Sequence, residues 1–455
     1  MKKKYGFLIF LGVFLLMCLW PLVGMAITGP SEAAANEILA APPALQNTGG
    51  SFNADFLNDT SDYFADHFAS RQELITVNAK LEAALFGESA SEDVILGKDG
   101  WLFYQTTLDD YQGQNLLSDR EIWAASHSLS LIQEYAQQQN ASFLFTVVPN
   151  KNSLYPEFMP DRYIRSDAPG NAERLTEALR QADVSVLDLY EVLKTKDLIL
   201  YQRLDSHWSN LGAALAHDAI TDALGKEAEC FYQPEQFTAV QDHSADLYQM
   251  LYPAGTEKDI QLYPDRQWSF SYDAPIRSVE DQMIRTSCAE HAGKLLMFRD
   301  SFGNTLHPFM AESYGAAVFF RAMPYDLSLL DSENADTLVI VIVERNIDWL
   351  VQRAPIFPAP VRQIAVPAQS DEEVNVRFSF SEKDLGMLCC QGTIGSKMDI
   401  DSPIFLICDG TVFEASPAGS GDQPFTAYLP CRPGRLQVMF IQDGCPVISQ
   451  AYSCE

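Results

Sequence analysis

Two short segments hold residue types from which acyl-transfer chemistry can be built. One reads Leu295-Leu296-Met297-Phe298-Arg299-Asp300-Ser301-Phe302-Gly303-Asn304, an apolar run that breaks at Asp-Ser and then turns helix-like. The other reads Arg203-Leu204-Asp205-Ser206-His207-Trp208-Ser209-Asn210-Leu211-Gly212. A serine just past a strand lies at the carboxyl edge of a sheet, where nearby backbone N–H groups can hold an oxyanion. Serine is a poor nucleophile until a base takes its proton, and His207 is such a base by type. Asp205 precedes it by two residues, and in an extended or turn conformation i and i+2 project to one side. Its carboxylate can then bond the ring, fix the tautomer and stabilise the cation. Triads are defined by geometry, so the chain order Asp…His…Ser is acceptable. Each residue also has a plainer reading: Ser301 as a helix N-cap, and Asp205-Ser206-His207-Trp208 as a packed polar corner.

Other residues are candidates for holding substrate. Lys151 and Tyr155, in Pro149-Asn150-Lys151-Asn152-Ser153-Leu154-Tyr155, follow an apolar run where a substrate loop belongs, or else form a turn and ordinary packing. Arg299 neighbours the serine, and Arg345 follows the last strong strand, from which it could reach the cleft or join a buried ion pair. Trp101, Tyr104 and Trp208 could stack on sugar rings, although packing in a core is the commoner fate of such side chains. A metal site built on His207, His217 and His243 is disfavoured, because no tight two-histidine spacing or acidic ligand set accompanies them. Neither a metal nor a cofactor is expected.

The elements that must position these residues alternate in type. Residues 119–139, 171–182 and 211–224 show helical periodicity, whereas Phe143–Val148, Val184–Leu189, Lys294–Phe298, Ala316–Phe320 and Leu338–Val343 read as buried strands. That alternation implies a mostly parallel, three-layer α/β sheet, whose sites form at the carboxyl ends of strands. Val94–Tyr104 reads as a hairpin turning at Lys98-Asp99-Gly100, and residues 55–86 as one or two helices stopped by Gly87. After Pro367 the pattern becomes short alternating runs between Gly, Pro and Asp turns, the mark of a small all-β module, read as a sandwich over 371–455.

Lys2, Lys3 and Lys4 precede an uncharged run, Gly6–Thr28, of 23 residues. As a helix it would be roughly 35 Å long, enough for a hydrocarbon core of about 30 Å. The lysines favour a cytoplasmic N-terminus, placing the body outside the cell membrane on a single-pass anchor over 1–29. A cleaved signal ending near Ala33-Ala34-Ala35 is the competing reading, and both export the body. Residues 30–54 read as a linker and 55–366 as the catalytic body. Asp and Glu total 61 against 31 Lys and Arg, a net charge of −30, with no basic cluster beyond the first residues, so nucleic-acid binding is excluded. Of nine cysteines, six fall between Cys389 and Cys454. Disulfides and free buried thiols both fit, whereas the lack of C-x-x-C pairs disfavours zinc.

Five segments, "DYFADHFASRQELI" at 62–75, "GKDGWLFY" at 97–104, "VPNKNSLYPE" at 148–157, "LDSHWSNLGA" at 204–213 and "RDSFGN" at 299–304, resemble the DHHW and alginate O-acetyltransferase (AlgJ/AlgX-type) branch of the SGNH-hydrolase-like proteins. The resemblance covers roughly residues 55–350 and implies an SGNH-like, flavodoxin-type fold on the outer side of the membrane. It implies Ser301 as nucleophile, His207 as base and Asp205 as its orienter, and O-acetylation of an exported or cell-surface polysaccharide. It also implies a multipass membrane-bound O-acyltransferase as the deliverer of the acyl group. A deacetylase or esterase using the same triad and an inactive glycan-binding or assembly protein are the alternatives. SGNH proteins usually carry Gly before Asp-Ser, where a small residue allows close backbone approach, and here that position is Arg299, as in the DHHW branch.

Overall fold

The computed structural model describes residues 2–33, 37–194, 198–226, 232–367, 374–382, 386–417 and 423–454. Cys230, and Ala34 and Ala35 of the alternative cleavage site, lie outside the described residues. Helix α1 (Lys2–Thr28) contains Pro21, and its stretch Tyr5–Thr28 is long and apolar enough to cross a membrane. Helices α2 (Phe56–His67) and α3 (Arg71–Phe86) follow, and α3 ends where Gly87 takes a left-handed conformation (φ 68°). Strands β1 (Val94–Leu96) and β2 (Leu102–Tyr104) form the expected hairpin. Its turn puts Asp99 and Gly100 at φ 53° and 74°, a conformation glycine adopts without steric cost.

The central sheet has seven strands in the order β4-β3-β11-β9-β10-β8-β7. Strands β3 (Ser142–Val148), β4 (Val186–Asp188), β9 (Lys294–Phe298), β10 (Ala316–Phe320) and β11 (Thr337–Val343) are parallel. An antiparallel edge, β8 (Met283–Ser287) and β7 (Ser271–Tyr272), was not legible in the sequence, because its short runs mix exposed polar residues with apolar ones. The parallel strands are apolar on both sides because both sides are covered. Leu144, Met297 and Val339 face one apolar cluster with helices α6 (Leu189–Lys194), α7 (Asn210–Ala223) and α9 (Gly303–Ala311). Phe143, Phe298 and Ile340 face another with helices α4 (Asp119–Gln138) and α5 (Asn171–Gln181). A two-stranded ribbon, β5 (Phe237–His243) with β6 (Asp259–Pro264), and helix α8 (Asp246–Leu251) lie outside this sheet.

The C-terminal strands β12 (Val376–Glu382), β13 (Leu388–Ile394), β14 (Ile404–Cys408), β15 (Thr411–Pro417), β16 (Pro424–Leu429), β17 (Arg435–Gln442), β18 (Cys445–Ile448) and β19 (Tyr452–Ser453) are antiparallel. They form one hydrogen-bonded path, β12-β13-β16-β15-β14-β17-β18, instead of the two separate sheets of a sandwich. The reason is that β15 pairs with both β14 and β16, so one sheet bends around a core that includes Cys390, Leu406, Ala415, Ala427 and Val438. The eight described cysteines are unpaired thiols, and burial pushes Cys408 up to about 12.

This module is fastened to α4 by charge. Arg120 Nη1 donates to the carbonyls of Ile400 and Ser402 at 2.8 and 2.7 Å. Arg362 bonds Glu134 at 2.6 Å and Glu414 at 2.5 Å, and His127 also meets Glu414 at 2.9 Å. Burial alone would raise the Glu414 carboxyl, but His127 and Arg362 hold it below its ordinary value. Arg362→Ala strips a buried carboxylate, Glu414, of one of its two basic partners and leaves Glu134 without its ion pair as well. It is expected to destabilise the protein by about 3 kcal/mol, read as a lower Tm in scanning calorimetry. A change under about 0.5 kcal/mol would mean that solvent already screens the contact.

Candidate active site

Strand β9 delivers Arg299, Asp300 and Ser301 to its carboxyl end, and α9 starts two residues past the serine. Asp300 shapes the turn: one carboxylate oxygen accepts the Phe302 N–H at 3.0 Å, and the other accepts the Val343 N–H at 2.7 Å. The loop is thereby fixed to the end of β11. Ser301 is not the N-cap of α9. The small residue that the motif lacks at 299 is supplied at Gly303, where a Cβ would sit 2.5 Å from Arg299 Cβ. Arg299 can therefore cross the turn. Its guanidinium bonds Asn304, and also the carbonyls of Val279 and Asp281 at 2.9 and 3.2 Å.

His207 comes from the loop before α7, whose N-cap Ser209 accepts the Gly212 N–H at 3.2 Å. Its Nε2 lies 2.9 Å from Ser301 Oγ and its Nδ1 2.8 Å from Asp205 Oδ1. Asp205 Oδ1 also accepts the His207 backbone N–H at 2.9 Å, which closes the i to i+2 turn anticipated from spacing. Asp205, His207 and Ser301, the last 94 residues beyond the histidine, thus form one hydrogen-bonded chain. Such a chain can take a proton from the hydroxyl and steady the resulting imidazolium.

A further ring of groups surrounds the carboxylate end. His243 Nε2 lies 2.9 Å from Asp205 Oδ2, and the Asp246 N–H donates to that same oxygen at 3.0 Å. Asp246 Oδ1 accepts the Ser206 N–H at 2.8 Å, Ser206 Oγ donates to Asp246 Oδ2 at 2.5 Å, and that oxygen is 3.4 Å from His207 Nδ1. Sequence reasoning weighed His243 only as a metal ligand and did not single out Asp246, since nothing local marks a carboxylate that acts 39 residues from its partner. Donor atoms of Asp205, His207 and Asp246 lie within 4.8 Å of one another. Both imidazole nitrogens are already committed to hydrogen bonds, however, so the cluster is explained by holding a proton.

Burial works to lower the His207 pKa, but the Asp205 and Asp246 carboxylates outweigh it and raise it to about 9. Asp205 responds oppositely. Burial would raise it, yet hydrogen bonds from His207 and His243 hold it well below the ordinary carboxylate range.

The substrate candidates fall into two groups. Lys151 is buried, and its Nζ donates to the carbonyls of Leu102, Arg203 and Asp205 at 2.7, 2.8 and 2.9 Å. It braces the hairpin against the histidine loop instead of facing a ligand, and burial lowers it to about 7. Tyr155 is buried with its hydroxyl accepting the Leu200 N–H at 2.8 Å, and Trp101 packs on Phe158 with ring centroids 4.3 Å apart. Trp208 is buried too, and its Nε1 donates to the Phe302 carbonyl at 3.1 Å, which joins the two motifs. These side chains are structural because a buried polar group needs a partner inside the protein. Arg345 differs. Its guanidinium lies 5.4 Å from both the Tyr104 and Phe302 ring centroids. With Tyr104, Ser301, Met323 and Trp349 it lines a cleft of about 620 Å³ at the carboxyl ends of β9 and β11. Arg299 reaches the wall of this cleft, but its terminal nitrogens are spent on the bonds described.

Comparison with known proteins places this site in a family context. Residues 94–287 match the family model described as "SGNH hydrolase-like domain, acetyltransferase AlgX". The match holds Asp205, His207, His243 and Asp246, and it ends before Ser301. The chain is 25% identical over 235 residues to the probable alginate O-acetylase AlgJ of Pseudomonas syringae pv. tomato, covering 50% of this chain and 54% of that protein. It is 28% identical over 151 residues to the probable alginate O-acetylase AlgJ of Pseudomonas aeruginosa, covering 33% of this chain and 36% of that protein. The chain thus spans about half, or less, of the length of these curated relatives. Bacillus cereus PatB1 is a similar solved structure at 16% identity and a TM-score of 0.43, over 55% of this chain and 95% of that one. The resemblance read from five sequence segments is borne out as a similarity: residues 94–287 match the AlgX-type SGNH hydrolase-like domain, and the chain is similar to the AlgJ proteins.

Proposed function

We propose that this chain, with its AlgX-like domain, is an extracytoplasmic O-acetyltransferase of an exported or cell-surface polysaccharide, working through an acyl-serine. The observation that carries the reading is His207 bonded to Ser301 on one ring nitrogen and to Asp205 on the other. In the first half-reaction Ser301 Oγ attacks the acetyl carbonyl while His207 Nε2 takes its proton. The carbon–leaving-group bond then breaks, and His207 protonates the departing group. In the second, a sugar hydroxyl attacks the acetyl-serine, the bond to Oγ breaks, and the acceptor's proton returns through His207 to the serine. Arg345 and the N-terminal turn of α9 add positive potential beside the carbonyl oxygen as it gains charge. Names of relatives as alginate O-acetylases support polysaccharide acetylation. The apolar α1 supports a membrane anchor, and the three lysines before it support a body on the outer side. Delivery of the acyl group by a multipass membrane-bound O-acyltransferase is what the family resemblance implies.

The test supplies a soluble aryl acetate with and without an acceptor oligosaccharide. Acetylated sugar is the expected product. Free acetate at a rate indifferent to sugar would make the protein an esterase, and absence of any fluorophosphonate adduct at Ser301 in folded protein would leave only a binding role.

The pH dependence follows from the proton on His207. Only the neutral ring can accept from Ser301, so kcat/KM is expected to climb with pH through a midpoint of about 9 and to level only above it. Asp246→Asn removes one carboxylate that holds this proton while Asp205 stays. The midpoint should move down by roughly one pH unit. An unmoved profile would mean that Asp246 only supports the loop.

A further inference from the structure

Helix α3 has two apolar faces, and the fold covers one of them. Thr76 and Ala79 point inward and are buried. Thr76 Oγ1 accepts the Ala254 N–H at 2.9 Å, and Ala79 packs in a cluster with Val94, Leu102, Leu204 and Leu247. On the opposite side Leu74, Val77, Leu81 and Leu85 recur every three or four residues, which places them on a single stripe. They are 46, 55, 54 and 70% exposed. Lys80 and Glu82 flank the stripe without interrupting it. A soluble surface rarely leaves so continuous an apolar strip in water.

What covers the stripe is indicated by where the helix begins. The turn just before α3 is held against the last turns of α1. The Ala69 N–H donates to the Pro21 carbonyl at 3.2 Å, and Trp20 Nε1 donates to Ser70 Oγ at 3.2 Å. At Gly24 the approach is so close that a Cβ would lie 2.6 Å from Ala69 Cβ. Trp20, Pro21 and Gly24 belong to the second half of the Tyr5–Thr28 apolar stretch, toward its outer end. As a helix that stretch is about 36 Å long against a hydrocarbon core of about 30 Å. The start of α3 is therefore held at the depth where α1 leaves the bilayer.

We infer that the outward stripe of α3 lies in the boundary between headgroups and acyl chains of the membrane that α1 crosses, as an interfacial helix. The contact is hydrophobic, since a chain of net charge −30 gains nothing from anionic headgroups. Its consequence concerns the active site. The covered face of α3 packs with Leu204 and Leu247, the chain neighbours of Asp205 and Asp246, so the membrane contact would fix the height and orientation of the Ser301 cleft above the lipid. The inference rests on reading α1 as a membrane span.

The experiment uses the full-length protein in native membranes, with a photoreactive p-benzoylphenylalanine introduced singly. The positions are Val77 on the stripe, Leu16 in α1 and the exposed Lys397 in the β module. Normal hydrolysis of a soluble aryl acetate certifies each fold, and Leu81 replaces Val77 if that variant fails. After irradiation, lipid adducts at position 77 are expected at a yield near that of position 16 and about tenfold above that of position 397. Lipid adducts at 16 with none at 77 would overturn the interfacial contact alone. A polypeptide adduct at 77 would overturn it in favour of a protein partner, and failure at both positions would remove the membrane span and this inference with it.

Discussion

Replacing Ser301 with alanine is expected to lower the rate of acetyl-ester turnover by about 10³-fold or more while leaving stability within about 0.5 kcal/mol of the parent. Both halves of this outcome matter. A nucleophile cannot be replaced by a methyl group, so the acyl-serine cannot form. Stability is spared because the Ser301 hydroxyl bonds His207 and does not cap α9, the turn itself being held by Asp300. A capping serine would behave in the reverse way, costing about 1 kcal/mol on truncation. Steady-state kinetics together with a melting curve on one sample make the comparison. His207→Ala should lose a similar factor, and the double variant little more than either single one, because residues acting as one unit are not additive. A double variant that multiplied the two losses would mean that serine and histidine act separately.

Lys151→Met is expected to destabilise the fold by about 3 kcal/mol, seen as a lower denaturation midpoint with the slope unchanged. The lysine's length is kept, but its three hydrogen bonds to the Leu102, Arg203 and Asp205 carbonyls are lost, and those acceptors stay buried. Activity should fall as well, because the Asp205 carbonyl belongs to the loop that aims His207. A substrate-binding lysine predicts the opposite pattern: KM rises and the melting temperature holds. If Lys151→Met melts with the parent and only KM changes, the brace described above is wrong. Arg345 offers the contrasting case, since it lines the cleft and its substitution should register in kinetics with little change in stability.

The parts of the fold that were legible share a physical cause. Strands β3, β9, β10 and β11 are buried on both faces and so read as unbroken apolar runs, and α4, α5 and α7 show helical periodicity because each buries one side. Strand β15 does not read as such a run for the converse reason. β15 buries Glu414 and Ser416, polar residues whose burial is made tolerable by His127 and Arg362 from distant parts of the chain. A local pattern cannot report such compensation.

The candidate site divides along the same line. Asp205 and His207 stand two residues apart, and Ser301 lies just past an apolar strand, so sequence by itself determined the chemical types, their local geometry and the edge of the sheet on which the serine would sit. Tertiary structure alone decided that the imidazole meets the hydroxyl at 2.9 Å, that Asp246 and His243 close around the carboxylate, and that Lys151, Tyr155 and Trp208 serve the scaffold instead of the cleft. Side-chain type and spacing are properties of a few neighbouring residues. Whether a polar group faces solvent or spends its hydrogen bonds inside depends on which remote backbone atoms the packed core brings within reach.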